Sequence, residues 1–229
     1  MHSITDAVRL LQFGDSMLPV GSFSFSNGLE AAIAQRVVHD VGSLRDFVGT
    51  ALHQSATADG IALIEAHRAA GAVDVERVIT ADRAVFERKL NEEMRTMTLR
   101  MGRKLAEMAM HVAPSPLVGE WLGRIERRQT PGTFPIGLAL VFAARGLAES
   151  DAFAAHQYGV ATMMVSAALR LMKLSYLDAQ KLLFEVNADA EAMFRRAAAA
   201  TLDDMAAFAP VADILAAIHV RSHVRMFMN

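Results

Sequence analysis

Residues 91–112, NEEMRTMTLRMGRKLAEMAMHV, form a long amphipathic pattern. Apolar side chains return every three or four residues along it, at Met94, Met97, Met101, Leu105 and Met108. This spacing places them near one face of an α-helix, whereas a strand would alternate every second residue. The stretch therefore predicts a long helix with one buried face, which ends before the prolines at positions 114 and 116.

The same periodicity continues on both sides of this segment, and alternating strand patterns are scarce. Ser43 and Asp74 are predicted to be N-caps. Further helices are predicted at about 4–13, 29–37, 43–52, 59–69, 74–86, 117–127, 135–145, 150–172 and 176–200, with a last segment from 203 that Pro210 interrupts. The fold class is therefore all-α: residues 1–229 form a single-domain bundle of about ten helices. Residues 211–229 are predicted to be a C-terminal partner-binding segment that can move.

The composition favours a soluble protein that binds other proteins. Hydrophobic residues make up 53% of the 229 residues, and the mean hydropathy of +0.25 leaves apolar surface for a large core or a partner. A net charge of −2 gives no basic surplus for nucleic acid, and no segment has the pattern of a signal peptide or a membrane span. Cysteine is absent, which fits a reducing compartment. We expect a cytoplasmic protein without nucleic acid or membrane partners.

Candidate catalytic groups are few. His219 and His223 lie four residues apart, so on a helix they can grip one metal ion, but no carboxylate follows either one in the pattern of zinc proteases. No phosphate-binding loop, nucleophile elbow or dinucleotide motif occurs. Three hypotheses stay open. The first is an assembly scaffold, the second a helical metal-dependent enzyme that uses this pair with an acid such as Asp213, and the third a ligand-binding module with a pocket lined by methionines.

The segment from Gly14 to Gly28 has the glycine, proline and serine content of a loop. It nevertheless carries apolar side chains, which predict that it either packs onto the core or binds a partner. Gly21 and Gly28 suit positive φ angles. In extended geometry, Phe23 and Phe25 can anchor one surface together.

Residues 10–30, LLQFGDSMLPVGSFSFSNGLE, resemble the opening pattern of the urease accessory protein UreF family. Four further segments follow in the family's order. They are 93–105 with Met-Gly-Arg at 101–103, 131–147 around Gly137, 158–183 with Ser-Ala-Ala-x-Arg-Leu at 166–171, and a tail with His219, Arg225 and Phe227. The chain departs from the family pattern at Ser22, Phe25, Thr133, Phe134, Lys173 and Val220.

The resemblance implies an all-helical homodimer that acts as an adaptor rather than as a catalyst, without a cofactor or metal site of its own. Such a protein binds UreD (also called UreH), recruits the GTPase UreG and engages apo-urease for nickel insertion. The expected partner-binding residues are Leu18, Pro19, Gly21, Phe23, Phe25, Glu30, His219, Arg221, Arg225 and Phe227. The tail, with its apolar Phe227, is expected to be exposed and to fold onto a groove of the partner.

Overall fold

The computed structural model describes residues 3–207, 209–219, 226 and 227, and this part of the chain contains twelve α-helices and no strand. The helices are α1 (Ile4–Gly14), α2 (Leu29–Ala34), α3 (Val41–Ser55), α4 (Ile61–Gly71), α5 (Val75–Glu87), α6 (Glu92–Val112), α7 (Pro116–Glu126), α8 (Phe134–Ala143), α9 (Glu149–Leu171), α10 (Tyr176–Val186), α11 (Ala190–Ala199) and α12 (Pro210–His219). A π-helical turn, Ala56–Gly60, joins α3 to α4. The predicted all-α, single-domain bundle is confirmed.

Helix α8 lies at the centre of the bundle. Its sequence, FPIGLALVFA, is apolar on every side, as expected for a helix that is surrounded by others. It packs against α4, α6 and α9, and its residues from Pro135 to Phe142 are buried. Buried residues of these four helices belong to the larger of two hydrophobic clusters, to which α5 and α7 also contribute.

The second hydrophobic cluster lies between α2, α3, α9 and α10. Helix α9 is long enough to reach both clusters, with Phe153 in the first and Met164 in the second. Leu215 of α12 and Phe227 near the chain end also belong to the second cluster. Leu215 and Phe227 therefore pack onto the same bundle.

Two predicted boundaries are wrong. The helix expected at 176–200 is two helices, α10 and α11, because the chain turns at 187–189, where the Asn187 side chain donates to the Leu183 carbonyl at 2.7 Å. Ser43 is not the N-cap of α3. Asp40 takes that position because its carboxylate accepts the Ser43 backbone N–H at 2.7 Å, and Ser43 completes the capping box.

Candidate functional site

The loop between α1 and α2, residues 15–28, is anchored from inside and displays large side chains outside. Val20 and Phe25 are buried, whereas Met17 is 83% exposed and Phe23 is 71% exposed. Gly21 and Gly28 have φ angles of 91° and 81°, which confirms the predicted positive φ at both. The loop is therefore part of the fold and also presents an apolar surface to solvent.

Phe23 and Phe25 do not share a surface, so that expectation is wrong. Residues Ser22–Ser24 form a 3₁₀ turn rather than an extended strand, and Phe25 follows it in extended geometry. The turn directs the Phe23 ring to solvent while the Phe25 ring enters the protein. Of the two aromatic side chains, Phe23 is thus the one that is available to a partner.

Glu30 binds the backbone of residues 226 and 227, near the end of the chain. Its two carboxylate oxygens accept the backbone N–H groups of Met226 and Phe227, at 2.8 and 3.0 Å. The Phe227 ring is only 4% exposed and lies in the second cluster, so the expectation that it is exposed is wrong. Met226 keeps 61% of its surface exposed.

Arg170 joins this chain end to the loop. Its guanidinium lies over the Phe227 ring, with 4.2 Å between the guanidinium carbon and the ring centroid. Its Nη2 donates to the Phe23 carbonyl at 3.1 Å. Arg170 belongs to the family motif at 166–171 but is not among the expected partner-binding residues. No local pattern reveals that residues so far apart in sequence meet.

The other expected partner-binding residues differ in their surroundings. Leu18, Gly21 and Glu30 are half-buried, and Pro19 is exposed. His219 ends α12, but its side chain lies outside what the structure describes. Arg221, His223 and Arg225, together with the departure at Val220, lie outside the described residues.

A cavity of about 330 Å³ lies beneath the loop, between the end of α1 and helices α3, α6, α8 and α9. Five methionines contribute to its wall, which is the kind of lining that the ligand-binding hypothesis requires. They are Met17, Met94, Met97, Met101 and Met163.

A buried ion pair forms the polar end of this cavity. Lys89 Nζ donates to both oxygens of Asp59, at 2.7 and 2.6 Å. His156 Nδ1 lies 3.3 Å from Ser55 Oγ, and its Nε2 lies 3.9 Å from Asp59 Oδ2. Burial lowers the pKa of His156 to about 4, so the ring is neutral at pH 7. Lys89 and Asp59 therefore pair with each other, and the neutral His156 ring contacts Ser55.

Among the side chains that the structure describes within residues 3–207, 209–219, 226 and 227, no three from His, Cys, Asp or Glu converge as a metal site would need. Among the helices described there, none combines the length and hydrophobicity of a bilayer-spanning segment. Burial raises the pKa of Asp213, the acid that the enzyme hypothesis named.

The fold and the site together define a class: an all-helical protein whose most distinctive surface is an anchored loop joined to the chain end. Its family follows from its likeness to known proteins. The family model described as UreF matches residues 38–187. The chain is 55% identical over 228 residues to urease accessory protein UreF 2 of Brucella canis, covering 100% of this chain and 94% of that protein.

A second relative comes from another genus. The chain is 49% identical over 225 residues to urease accessory protein UreF of Yersinia pseudotuberculosis, covering 98% of this chain and 99% of that protein. The protein therefore belongs to the UreF family of urease accessory proteins.

Proposed function

We propose that this protein is a non-enzymatic scaffold for urease maturation in the cytoplasm. It binds a UreD/UreH partner, recruits the GTPase UreG and brings both to apo-urease for nickel insertion. Family membership supports the process. The observation that carries the binding role is the exposed Phe23 ring on a loop that Val20 and Phe25 anchor in the core.

An anchored loop suits tight binding for a physical reason. Exposed large apolar side chains that stand together are typical of interaction sites, and aromatic anchors often dominate the binding energy. Ordering a flexible loop on binding costs entropy, which lowers affinity. Here the 3₁₀ turn at Ser22–Ser24 and the buried Phe25 already fix the loop. Phe23 and Met17 are thus presented to a partner at little further entropic cost.

Helix α1 supports the homodimer that we include in this proposal. Ile4, Val8 and Leu11 lie on one face of the helix and are 58–87% exposed. The helix is well formed, because Ser3 and Asp6 complete its capping box. A second copy of the chain related by a twofold axis can bury such a stripe against its own equivalent.

The test is co-purification of the tagged chain with co-expressed UreD/UreH. Phe23→Ala should change the free energy of unfolding by less than about 0.5 kcal/mol, since the ring is exposed. It should weaken capture of the partner by about 2 kcal/mol, roughly thirtyfold, as loss of a central aromatic anchor does.

Phe184→Ala is the matched control, because this ring is 83% exposed on α10, far along the sequence from the loop. We expect the control to capture the partner as well as the unchanged chain. Undiminished capture by Phe23→Ala, or an equal loss from both variants, would show that the loop is not the anchor.

A further inference from the structure

The contacts of Glu30 and Arg170 connect the loop at 15–28 with residues 226 and 227. We propose that these two side chains form a latch, which holds residues 226 and 227 and the loop at 15–28 together as one partner-binding surface. The existence of the latch does not depend on the proposed function, whereas the use of its surface for binding rests on it.

In the Glu30 half of the latch, the carboxylate acceptors fit the backbone donors of residues 226 and 227. Two adjacent backbone N–H groups point to one side chain, and a carboxylate offers one oxygen to each of them. Phe227 is buried, so its backbone N–H needs an acceptor in place of water, whereas the Met226 N–H lies in an exposed position. Hydrogen bonds to a charged acceptor are also the stronger kind. An amide at position 30 would offer only one acceptor oxygen.

The Arg170 half uses the shape of the guanidinium. Its Nε donates to the Ser166 carbonyl of the preceding helical turn at 3.2 Å, which fixes the plane of the group. One face of that plane covers the Phe227 ring, and the Nη2 edge reaches the Phe23 carbonyl. A lysine ammonium is a point charge and cannot stack and donate in this way. Movement of the chain end therefore changes the support of the loop.

The latched segments present a mixed surface. Met226 and Phe23 expose apolar side chains, and Arg170, which contacts both segments, is itself exposed. Among the described residues, the Nε and Nη2 atoms of Arg170 each have a hydrogen-bond acceptor, and Nη1 has none. Apolar side chains around an arginine are typical of interface cores. The partner that fits is a protein surface with an apolar patch around a carboxylate that can reach Nη1.

Amide exchange, followed by NMR on the full-length chain, tests the latch without any partner. Glu30→Gln should speed exchange of the Met226 and Phe227 amides about tenfold. The substitution replaces the two charged oxygens of the carboxylate with one neutral carbonyl oxygen. Glu65→Gln is the matched control. Glu65 is also a partly buried carboxylate, and it binds Arg77 elsewhere on the bundle. The control should leave these two amides unchanged.

Coupling between the two segments is the decisive readout. Ser24 and Phe25 donate their amides to Gly21 and Ser22 within the loop, and neither amide contacts residue 227. In Phe227→Ala these loop amides should nevertheless exchange several-fold faster, and Arg170→Lys, a milder change, should reproduce the effect. Loop amides that exchange at the original rate in both variants would overturn the latch. Failure of the proposed function would instead appear as unchanged partner capture by Phe23→Ala, with this coupling intact.

Discussion

Asp82→Asn is expected to lower the free energy of unfolding by about 3–5 kcal/mol, the range for breaking a buried, fully bonded charge. The Asp82 carboxylate is fully buried in α5. Oδ2 accepts from Trp121 Nε1, Thr130 Oγ1 and the Gly132 backbone N–H, at 3.2, 2.6 and 2.8 Å. Oδ1 accepts from the Thr133 backbone N–H and hydroxyl, at 2.8 and 2.6 Å.

The amide of asparagine cannot replace this carboxylate. Its NH₂ group would face donors on one side, which would leave buried N–H and O–H groups without an acceptor. The segment before α8, residues 130–133, would lose the group that positions it. Urea denaturation of the variant measures the effect. Asp46→Asn is the control, because the Asp46 side chain is 82% exposed and should contribute almost nothing. A loss below about 1 kcal/mol in Asp82→Asn would contradict this account of the segment.

Gly102→Ala should destabilise the protein by about 2–3 kcal/mol, although alanine is normally the better helix former. Gly102 lies in α6, where the helix backbone approaches the segment that Asp82 holds. A Cβ atom at this position would overlap the Gly132 carbonyl oxygen and would lie 2.7 Å from the Thr133 carbonyl carbon. Both are backbone atoms, so no side-chain rotation can relieve the clash.

The sign of this effect is the informative part of the measurement. Gly49 lies inside α3, and a Cβ there would have no neighbour within 4 Å. Gly49→Ala should therefore stabilise the protein by up to about 1 kcal/mol through helix propensity alone. The two variants are compared by thermal and urea unfolding. If both substitutions shift stability in the same direction, the close approach of α6 to residues 132–134 is wrong.

The helices were largely predictable because their signals are local. The apolar period along 91–112 gives α6, and the uniformly apolar run at 134–143 gives the central α8. Positive φ at Gly21 and Gly28 also followed from residue type and loop context. What these patterns lack is information on which distant residues meet.

The parts that the sequence did not predict depend on long-range contacts. Phe227 resembles an exposed tail residue until Glu30 and Arg170 are seen beside it. Asp82 looks like an ordinary acid in a helix, since its five donors come from α7 and the segment before α8. No period in the sequence encodes such meetings, which tertiary packing decides.

Two departures from the family pattern have local explanations in the structure. Thr133 supplies both its backbone N–H and its hydroxyl to Asp82, so a threonine suits that position. The Phe25 side chain is buried, and burial favours a phenyl ring over the more polar histidine at that position. Nothing in the structure explains Lys173.

We propose that this chain supports urease maturation through its anchored loop. The most direct measurement is urease activity in nickel-supplied cells that carry the matching urease genes but lack this accessory gene. We predict that the unchanged chain and Phe184→Ala restore activity, whereas Phe23→Ala, although folded, restores little. Activity that stays absent with the unchanged chain, or that Phe23→Ala restores in full, would contradict the account.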